Sequence, residues 1–205
     1  MNALQPLQSL FDRATGVELP LPAEIAGLYG RLRMPLHAGR PYVIGNFVSS
    51  LDGVVSLQDA GKKGGGEISG NNRQDHFVMG ILRAAADAII IGAGTLRDSP
   101  GHRWTAAHVA PAFSQAYQQL RDALGKPEPP LVVIVTARGD VSMRLALMRE
   151  GSIPVLIVTT SQGAARIREQ QAPTWVQVVD VGGQAEIIDA QAILRAVGRV
   201  RRCDV

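Results

Sequence analysis

Short apolar runs recur along the chain from Tyr42 onward, and their richness in valine and isoleucine is typical of β-strands. They occupy residues 42–48, 87–94, 131–136, 154–160 and 175–181. The three central runs are almost continuously apolar, as expected of strands that are covered on both faces. We therefore predict a sheet whose middle strands are buried.

Amphipathic stretches with helical spacing separate these runs. They lie near residues 70–86, 110–124, 142–150, 161–171 and 187–197. In the first stretch Asn71 can cap the helix with Gln74 reaching back, while Phe77, Ile81 and Ala85 share one face. Strands that alternate with helices predict an α/β fold with a largely parallel sheet.

The first 39 residues follow a different pattern, with several prolines and one amphipathic stretch. The apolar positions of that stretch are Ile25, Leu28, Tyr29 and Leu32. Their spacing predicts a short helix with one buried face. We predict an N-terminal extension over residues 1–39, followed by a main domain over residues 40–205.

Composition narrows the class of protein. The chain has 205 residues, 46% of them hydrophobic and 19% charged, which suits one globular domain. Its single cysteine, Cys203, allows no internal disulfide and is compatible with a reducing cytoplasm. No apolar run reaches the ~20 residues that a membrane span needs. We expect a cytoplasmic protein without a membrane partner.

Charge and histidine spacing exclude two further classes. Four arginines near the end, at positions 195, 199, 201 and 202, carry four positive charges, which is more than the net charge of +3 of the whole chain. A nucleic-acid interface is therefore confined to this tail, and we expect no nucleic-acid partner. The four histidines show no metal-ligand spacing, so we expect no metal site.

The segment Gly92-Ala93-Gly94-Thr95 is the first candidate for chemistry. It follows an apolar strand, at the end where open α/β sheets bind ligands, and its glycines allow close approach of a ligand to the backbone. Asp98 and Pro100 soon afterwards indicate a loop at this point. The alternative is a tight strand exit that binds nothing.

Two further candidates lie earlier in the chain. Ser49-Ser50-Leu51-Asp52-Gly53 ends the first predicted strand, but Asp-Gly also suits a plain hairpin turn into residues 54–57. Gly64-Gly65-Gly66-Glu67-Ile68-Ser69-Gly70 is a glycine-rich loop before a helix, whose N–H groups could hold an anion. Simple chain flexibility is the alternative.

Two arginines are also candidates. Arg83 ends the predicted helix before the Gly92 strand, where a cation can bind substrate or merely complement the helix dipole. Arg138 follows Thr136 and Ala137 at the end of the third strand, where it could pair with the 2′-phosphate of a dinucleotide. A solvated loop arginine is the simpler interpretation of Arg138.

Taken in order, these segments resemble the reductase domain of the bacterial riboflavin-biosynthesis deaminase-reductases, relatives of dihydrofolate reductase. The motifs are Ser50-Leu51-Asp52-Gly53, Ile68-Ser69-Gly70, Arg83, Gly92-Ala93-Gly94-Thr95 and Asp98-Ser99-Pro100. The resemblance runs from about Arg40 to Val197. It implies a three-layer dihydrofolate reductase-like fold with a mostly parallel central sheet.

The resemblance also implies a reaction and its residues. The reaction is NADPH-dependent reduction of 5-amino-6-(5-phosphoribosylamino)uracil, or of a related pyrimidine, by a homodimer. The positions that match the family's cofactor contacts are Val48, Glu67, Gly92, Gly94, Thr95, Asp98, Ala137 and Arg138. Those that match substrate contacts are Ser50, Gly65, Arg83 and His102. Asp52 is the expected polar group near the reacting centre.

The chain departs from the family pattern at several of these positions. Glu67 stands where an aromatic residue is common, and serine hydroxyls expected near Gly65 and Ala137 are missing. After residues 187–197 the family continues into another strand and a Glu-Gly-Gly turn, whereas this sequence has an arginine-rich tail. We expect a truncated chain, or a short natural variant. The alternative function is a non-catalytic remnant that binds a nucleotide or pyrimidine.

Overall fold

A computed structural model describes residues 4–35, 37, 39–57, 65–183 and 187–205. The chain divides into two compact units. Unit 1 comprises Met1–Ala86, Thr105–Glu128 and Asp204–Val205. Unit 2 comprises Asp87–Trp104 and Pro129–Cys203. The division predicted from sequence places a single boundary between residues 39 and 40, whereas each unit combines several segments of the chain. The predicted division stays a prediction.

Unit 1 is mainly helical in the described residues. Its strands are β1 (Val17–Glu18) and β2 (Arg33–Met34), which pair antiparallel. Its helices are α1 (Ala23–Tyr29), α2 (Gly65–Ser69), α3 (Arg73–Ala85), α5 (Ala106–Val109) and α6 (Ser114–Ala123), with a 3-10 turn at Pro111–Phe113.

Helix α3 is the centre of unit 1. Phe77 and Ile81 on its inner face are fully buried beside Ile25 of α1 and Leu120 of α6. The predicted cap is displaced by one residue, because Asn72, not Asn71, accepts from the N–H groups of residues 74 and 75. Asn71 has φ 53°, a left-handed conformation in the turn between α2 and α3, and this leaves the cap to its neighbour.

The C-terminal end of α3 is held by Arg121 of α6. The Arg121 guanidinium donates to the carbonyls of Ala84 at 2.8 Å and Ala86 at 2.9 Å, and its Nε donates to the Glu128 carbonyl at 3.0 Å. Lys126 Nζ donates to the Ala85 carbonyl at 2.9 Å. Two cations thus satisfy carbonyls that have no partner within the helix, in the orientation that the helix dipole favours.

Unit 2 contains the sheet. Its strands are β3 (Ala88–Gly92), β4 (Leu131–Thr136), β5 (Val155–Thr159) and β6 (Val176–Asp180). They pair in the order β3-β4-β5-β6, and all three pairings are parallel. Its helices are α4 (Ala93–Asp98), α7 (Ala146–Arg149), α8 (Ser161–Glu169) and α9 (Ala190–Val200).

Both faces of this sheet are covered. On one face Val132, Ile134 and Ile157 pack with Leu96 of α4 and Ile167 of α8. On the other face Val133, Leu156 and Val158 pack with Ala196 and Val197 of α9. Successive residues of a strand point to opposite faces, so a strand between two helical layers is apolar throughout. The predicted α/β class and the mostly parallel, three-layer arrangement are confirmed.

The predicted strand at residues 42–48 is wrong, because these residues form no strand. Val43 and Phe47 are exposed, and the return strand considered at residues 54–57 is absent as well. Aromatic and β-branched residues favour a pleated, half-buried surface, but a strand exists only where a neighbour pairs with it.

The expected loop after Gly92 is also wrong, because α4 begins at Ala93 directly after β3. Ala93 and Leu96, three positions apart, are both buried against the sheet, and this burial favours a helical turn despite two nearby glycines. The glycine-rich loop expected over residues 64–70 is wrong for residues 65–69, which form helix α2, and residue 64 lies outside the described residues. No helix in the described ranges is long and apolar enough to cross a membrane.

Candidate functional site

The carboxyl ends of the four parallel strands form one edge of the sheet in unit 2. Gly92 pairs with Val135, Thr136 with Thr159, and Thr159 with Asp180. The segments that follow these ends therefore share that edge. We call this edge the carboxyl edge. In open α/β sheets, ligands bind at this edge.

The predicted cofactor segment at residues 92–98 lies at the carboxyl edge. Helix α4 buries Ala93 and Leu96 and exposes the predicted residues Gly92, Gly94 and Thr95, with Asp98 exposed at its end. A Cβ at Gly92 would meet nothing within 4 Å. The glycines thus leave open surface beside the strand end, into which a ligand can approach the backbone.

Three side-chain hydrogen bonds link the segments along the carboxyl edge. Arg97 of α4 donates to the Asp140 carbonyl at 3.1 Å. Thr160 Oγ1 donates to the Ala137 carbonyl at 2.7 Å and caps α8 by accepting from the Gly163 N–H. These bonds hold the loop after β4 from both sides.

The third bond lies farther along the edge. Ser161 Oγ donates to Asp180 Oδ1 at 3.1 Å, and the same carboxylate oxygen accepts from the Gly182 N–H at 2.7 Å. The end of β6 is therefore tied to the first turn of α8. Together, the three bonds connect the segments after all four strands.

Close backbone packing fixes the same loop. Gly139 has φ 65°, and a Cβ placed there would overlap the Gly163 carbonyl oxygen. A Cβ on Gly163 would in turn overlap Thr159 Oγ1. Main chain thus meets main chain between the loop and α8. Arg138, in the middle of this loop, is exposed.

The Ser50-Leu51-Asp52-Gly53 motif forms a tight turn in unit 1. The Ser50 N–H donates to the Val54 carbonyl at 2.9 Å, and Gly53 has φ 88°. The Ser50 hydroxyl donates to Asp52 Oδ1, and this hydrogen bond lowers the pKa of the exposed Asp52 carboxyl. Asp52 is therefore a carboxylate at neutral pH and can accept a hydrogen bond.

Two other predicted residues of unit 1 lie side by side. A Cβ on Gly65, the first residue of α2, would lie 2.8 Å from Val48 Cγ1. The structure therefore brings together a predicted substrate position and a predicted cofactor position. Glu67, in the same helix, is exposed.

Arg83 is buried in unit 1, with 9% of its surface exposed. Its Nη1 donates to the Thr105 carbonyl at 3.5 Å, and burial lowers its pKa to about 10. The side chain is still a cation at neutral pH. Thr105, whose carbonyl accepts this bond, is the N-cap of α5. The contact was not predicted from the sequence.

His102 lies in unit 2, in a segment that follows α4. Its ring stands 4.5 Å from the ring of Trp104, and Trp104 is buried with φ 61°. Between them, Arg103 makes a forked ion pair with Glu150, with Nε and Nη2 at 2.6 to 2.9 Å from the carboxylate oxygens. This pair raises the pKa of Arg103.

The predicted site residues therefore fall into groups by unit. Unit 2 brings Gly92, Gly94, Thr95, Asp98, Ala137 and Arg138 to the carboxyl edge or its adjoining helix and holds His102 in the following segment. Unit 1 holds Val48, Ser50, Asp52, Gly65, Glu67 and Arg83. Their assignment as binding and catalytic residues stays a prediction.

Sequence reasoning missed the residues that support the carboxyl edge, which are Arg97, Asp140, Thr160, Ser161 and Asp180. One signal was available, because a threonine between an apolar strand and an amphipathic helix is a typical N-cap.

Among the described residues, no three His, Cys, Asp or Glu side chains group so as to hold a metal ion. In the tail, Arg201 donates to the Pro129 carbonyl at 2.7 Å.

A parallel sheet covered by helices on both faces, with glycines at one strand end, defines an α/β protein of the dihydrofolate reductase-like kind. Residues 41–200 match the model of the RibD C-terminal domain family, and the chain belongs to that family.

A curated relative comes from Archaeoglobus fulgidus, strain ATCC 49558. It is named 2,5-diamino-6-ribosylamino-4(3H)-pyrimidinone 5′-phosphate reductase and is 31% identical over 166 residues. The aligned part covers 80% of this chain and 68% of the relative. Family and relative together support an oxidoreductase of riboflavin biosynthesis, and they do not favour the non-catalytic alternative.

Proposed function

We propose that this chain is an NADPH-dependent reductase of a phosphoribosylaminopyrimidine. The observation that carries the proposal is the family match over residues 41–200, together with a carboxyl edge whose segments are tied to one another. Hydride transfer depends above all on juxtaposing cofactor and substrate, and an edge whose segments are hydrogen-bonded to one another is suited to holding a cofactor in place.

The residues of unit 2 fit a phosphorylated dinucleotide. Gly92 and Gly94 leave open surface at a strand end, and Arg138 offers an exposed guanidinium that can pair with a 2′-phosphate. Glu67 does not fit: a carboxylate cannot stack on a nicotinamide ring and repels phosphate. We therefore assign the cofactor to Gly92, Gly94, Thr95 and Arg138, and leave Glu67 outside that set.

When bound, NADPH supplies the hydride that converts the ribosyl group to a ribityl group. Asp52, whose pKa is lowered by Ser50, serves as a hydrogen-bond acceptor for a substrate hydroxyl. Arg83 is a permanent cation at neutral pH and suits the substrate phosphate.

The pyrimidine itself has two candidates. The resemblance seen in the sequence implies the uracil form, which has a carbonyl oxygen at ring position 2. The relative from Archaeoglobus fulgidus is named for a 2,5-diamino compound, which has an amino group there. We favour the diamino form for this chain because the 31% identity extends over 80% of its length.

The test is oxidation of NADPH by the purified chain with each pyrimidine in turn. We expect turnover with both, and a higher kcat/KM for the diamino compound. Saturable quenching of Trp104 and Trp175 fluorescence by NADPH without oxidation would support the non-catalytic alternative. No quenching and no turnover would refute the proposal.

Arg138→Ala tests the cofactor assignment. The variant is expected to lower the affinity for NADPH about tenfold or more and to leave that for NADH nearly unchanged, because only NADPH has the 2′-phosphate. Arg166→Ala, at an exposed arginine of α8, is the matched control for the loss of one positive charge. Equal losses for both dinucleotides would show that Arg138 does not contact the 2′-phosphate.

A further inference from the structure

The segment between α4 and Trp104 is constrained at its C-terminal end. Trp104 has φ 61°, a conformation that a bulky residue adopts only when its surroundings enforce it. Its side chain is 7% exposed and belongs to the same core as Leu147 and Met148 of α7. Trp104 is thus anchored in the core of unit 2 at the cost of an unfavourable backbone conformation.

Arg103 adds a second anchor from the neighbouring position. Its Nε lies 2.9 Å from Oε1 and 2.7 Å from Oε2 of Glu150, and its Nη2 lies 2.6 Å from Oε1. A planar guanidinium that meets a carboxylate in this way fixes orientation as well as distance. Glu150 follows directly after α7, whose Leu147 and Met148 belong to the same core cluster as Trp104.

The ion pair lies at the surface, with the Arg103 and Glu150 side chains 44% and 34% exposed, so solvent screens part of its contribution to stability. Its forked geometry nevertheless fixes the position of Arg103. Because His102 directly precedes Arg103, the pair also restricts His102. The His102 ring contacts the Trp104 ring at a tilt of 38°, with the centroids 4.5 Å apart, and the His102 backbone N–H donates to the Ser99 carbonyl at 3.0 Å.

We infer that Arg103 and Glu150 are positioning residues that hold His102, the position that the sequence resemblance matches to a substrate contact, in the orientation required to bind the pyrimidine. The inference rests on the proposed reductase function and deepens it by adding two residues that do not touch the substrate. Their removal leaves Trp104 in the core and the fold intact, but lets His102 and its backbone move. Binding of the pyrimidine then weakens, whereas binding of NADPH at the carboxyl edge does not.

The test measures KM for each ligand separately in Arg103→Ala and Glu150→Ala. We expect KM for the pyrimidine to rise about tenfold in each, because small displacements of a positioning group have effects of at least this size. KM for NADPH should change less than twofold, and the double variant should be no worse than either single one. Arg103→Lys keeps the charge but loses the fork, and should recover only part of the affinity.

A spectroscopic readout separates positioning from general loosening. Trp175→Phe leaves Trp104 as the remaining tryptophan, since the sequence has two. In that background we expect Arg103→Ala to alter the near-ultraviolet circular dichroism of Trp104 while the thermal midpoint stays nearly constant. Arg33→Ala, which breaks the similarly exposed pair with Glu18, is the control and should change neither KM.

Three outcomes would overturn the inference. The first is an unchanged KM for the pyrimidine in the Arg103 and Glu150 variants of an active enzyme, which refutes positioning but leaves the proposed function standing. The second is an equal rise of both KM values together with a lower thermal midpoint, which indicates a merely structural pair. The third is a wild-type chain that neither binds nor reduces the pyrimidine, which refutes the proposed function as well.

Discussion

Replacing Gly163 by alanine is expected to destabilise the protein, although the same change within a helix ordinarily stabilises it. Gly163 is in the first turn of α8, where alanine is favoured over glycine by roughly 1 kcal/mol on helix propensity alone. A Cβ at this position would overlap Thr159 Oγ1 and would lie 2.8 Å from the Ala137 carbonyl oxygen. Steric overlap and propensity therefore act in opposite directions.

The magnitudes decide the sign. Forcing a methyl group into well-packed surroundings costs about 1–3 kcal/mol. Moving α8 away to relieve the overlap weakens the Thr160–Ala137 hydrogen bond, which adds about 1 kcal/mol. After the gain in helix propensity is subtracted, the free energy of unfolding should fall by about 1–3 kcal/mol.

Gly198→Ala provides the matched control. Gly198 is in α9, and a Cβ there would meet nothing within 4 Å, so propensity acts alone. This variant should gain up to about 1 kcal/mol. Urea unfolding followed by circular dichroism gives both values from the shift in midpoint at constant slope. If Gly163→Ala were stabilised as much as Gly198→Ala, the close packing of α8 on the loop after β4 would be incorrect.

Three further changes test other parts of the structure. Arg121→Ala leaves the carbonyls at the end of α3 without their charged donor and should lower the free energy of unfolding by about 3–5 kcal/mol in urea; a loss below about 1 kcal/mol would contradict this role. Ser50→Ala removes the hydrogen bond that lowers the pKa of Asp52, so this pKa should rise toward its ordinary value in a carboxyl NMR titration, and an unchanged pKa would show that the turn does not persist in solution. Because the folded pKa of Asp52 is the lower one, the hydrogen bond stabilises the protein above the ordinary pKa of 3.8, and this contribution is lost as pH falls through the folded value. Tyr117→Phe deletes the hydroxyl that donates to the Phe77 carbonyl at 3.0 Å and should cost about 1 kcal/mol in the same urea experiment, whereas a neutral result would mean that water replaces it.

The sheet of unit 2 could be predicted from sequence because its signal is local and redundant. Each strand is a short apolar run followed by an amphipathic helix, and burial on both faces allows no polar residue to interrupt the middle strands. The predicted runs at 131–136 and 154–160 match β4 and β5 to within a residue at each end. In such segments the propensity, the pattern and the tertiary packing all favour the same structure.

Residues 42–48 show where this agreement ends. They have strong β-propensity, yet a strand needs a partner, and nothing in a single run specifies one. Helix α4 shows the reverse case. Asp98 and Pro100 predicted a loop, but burial of Ala93 and Leu96 on one face favoured a helix despite the low helix propensity of the nearby glycines.

The candidate site was predictable to a similar degree, and for the same reason. That Gly92 and Arg138 would share an edge follows from parallel strands, whose carboxyl ends always lie together. That Arg97 would reach Asp140 does not follow, because the two residues are 43 positions apart and the sequence carries no signal for the contact. The carboxyl edge is thus specified by topology, but the bonds that join its segments are individual long-range contacts. A sequence motif can therefore identify where a cofactor binds without indicating how firmly its contacts are held, and hydride transfer is sensitive to the second property.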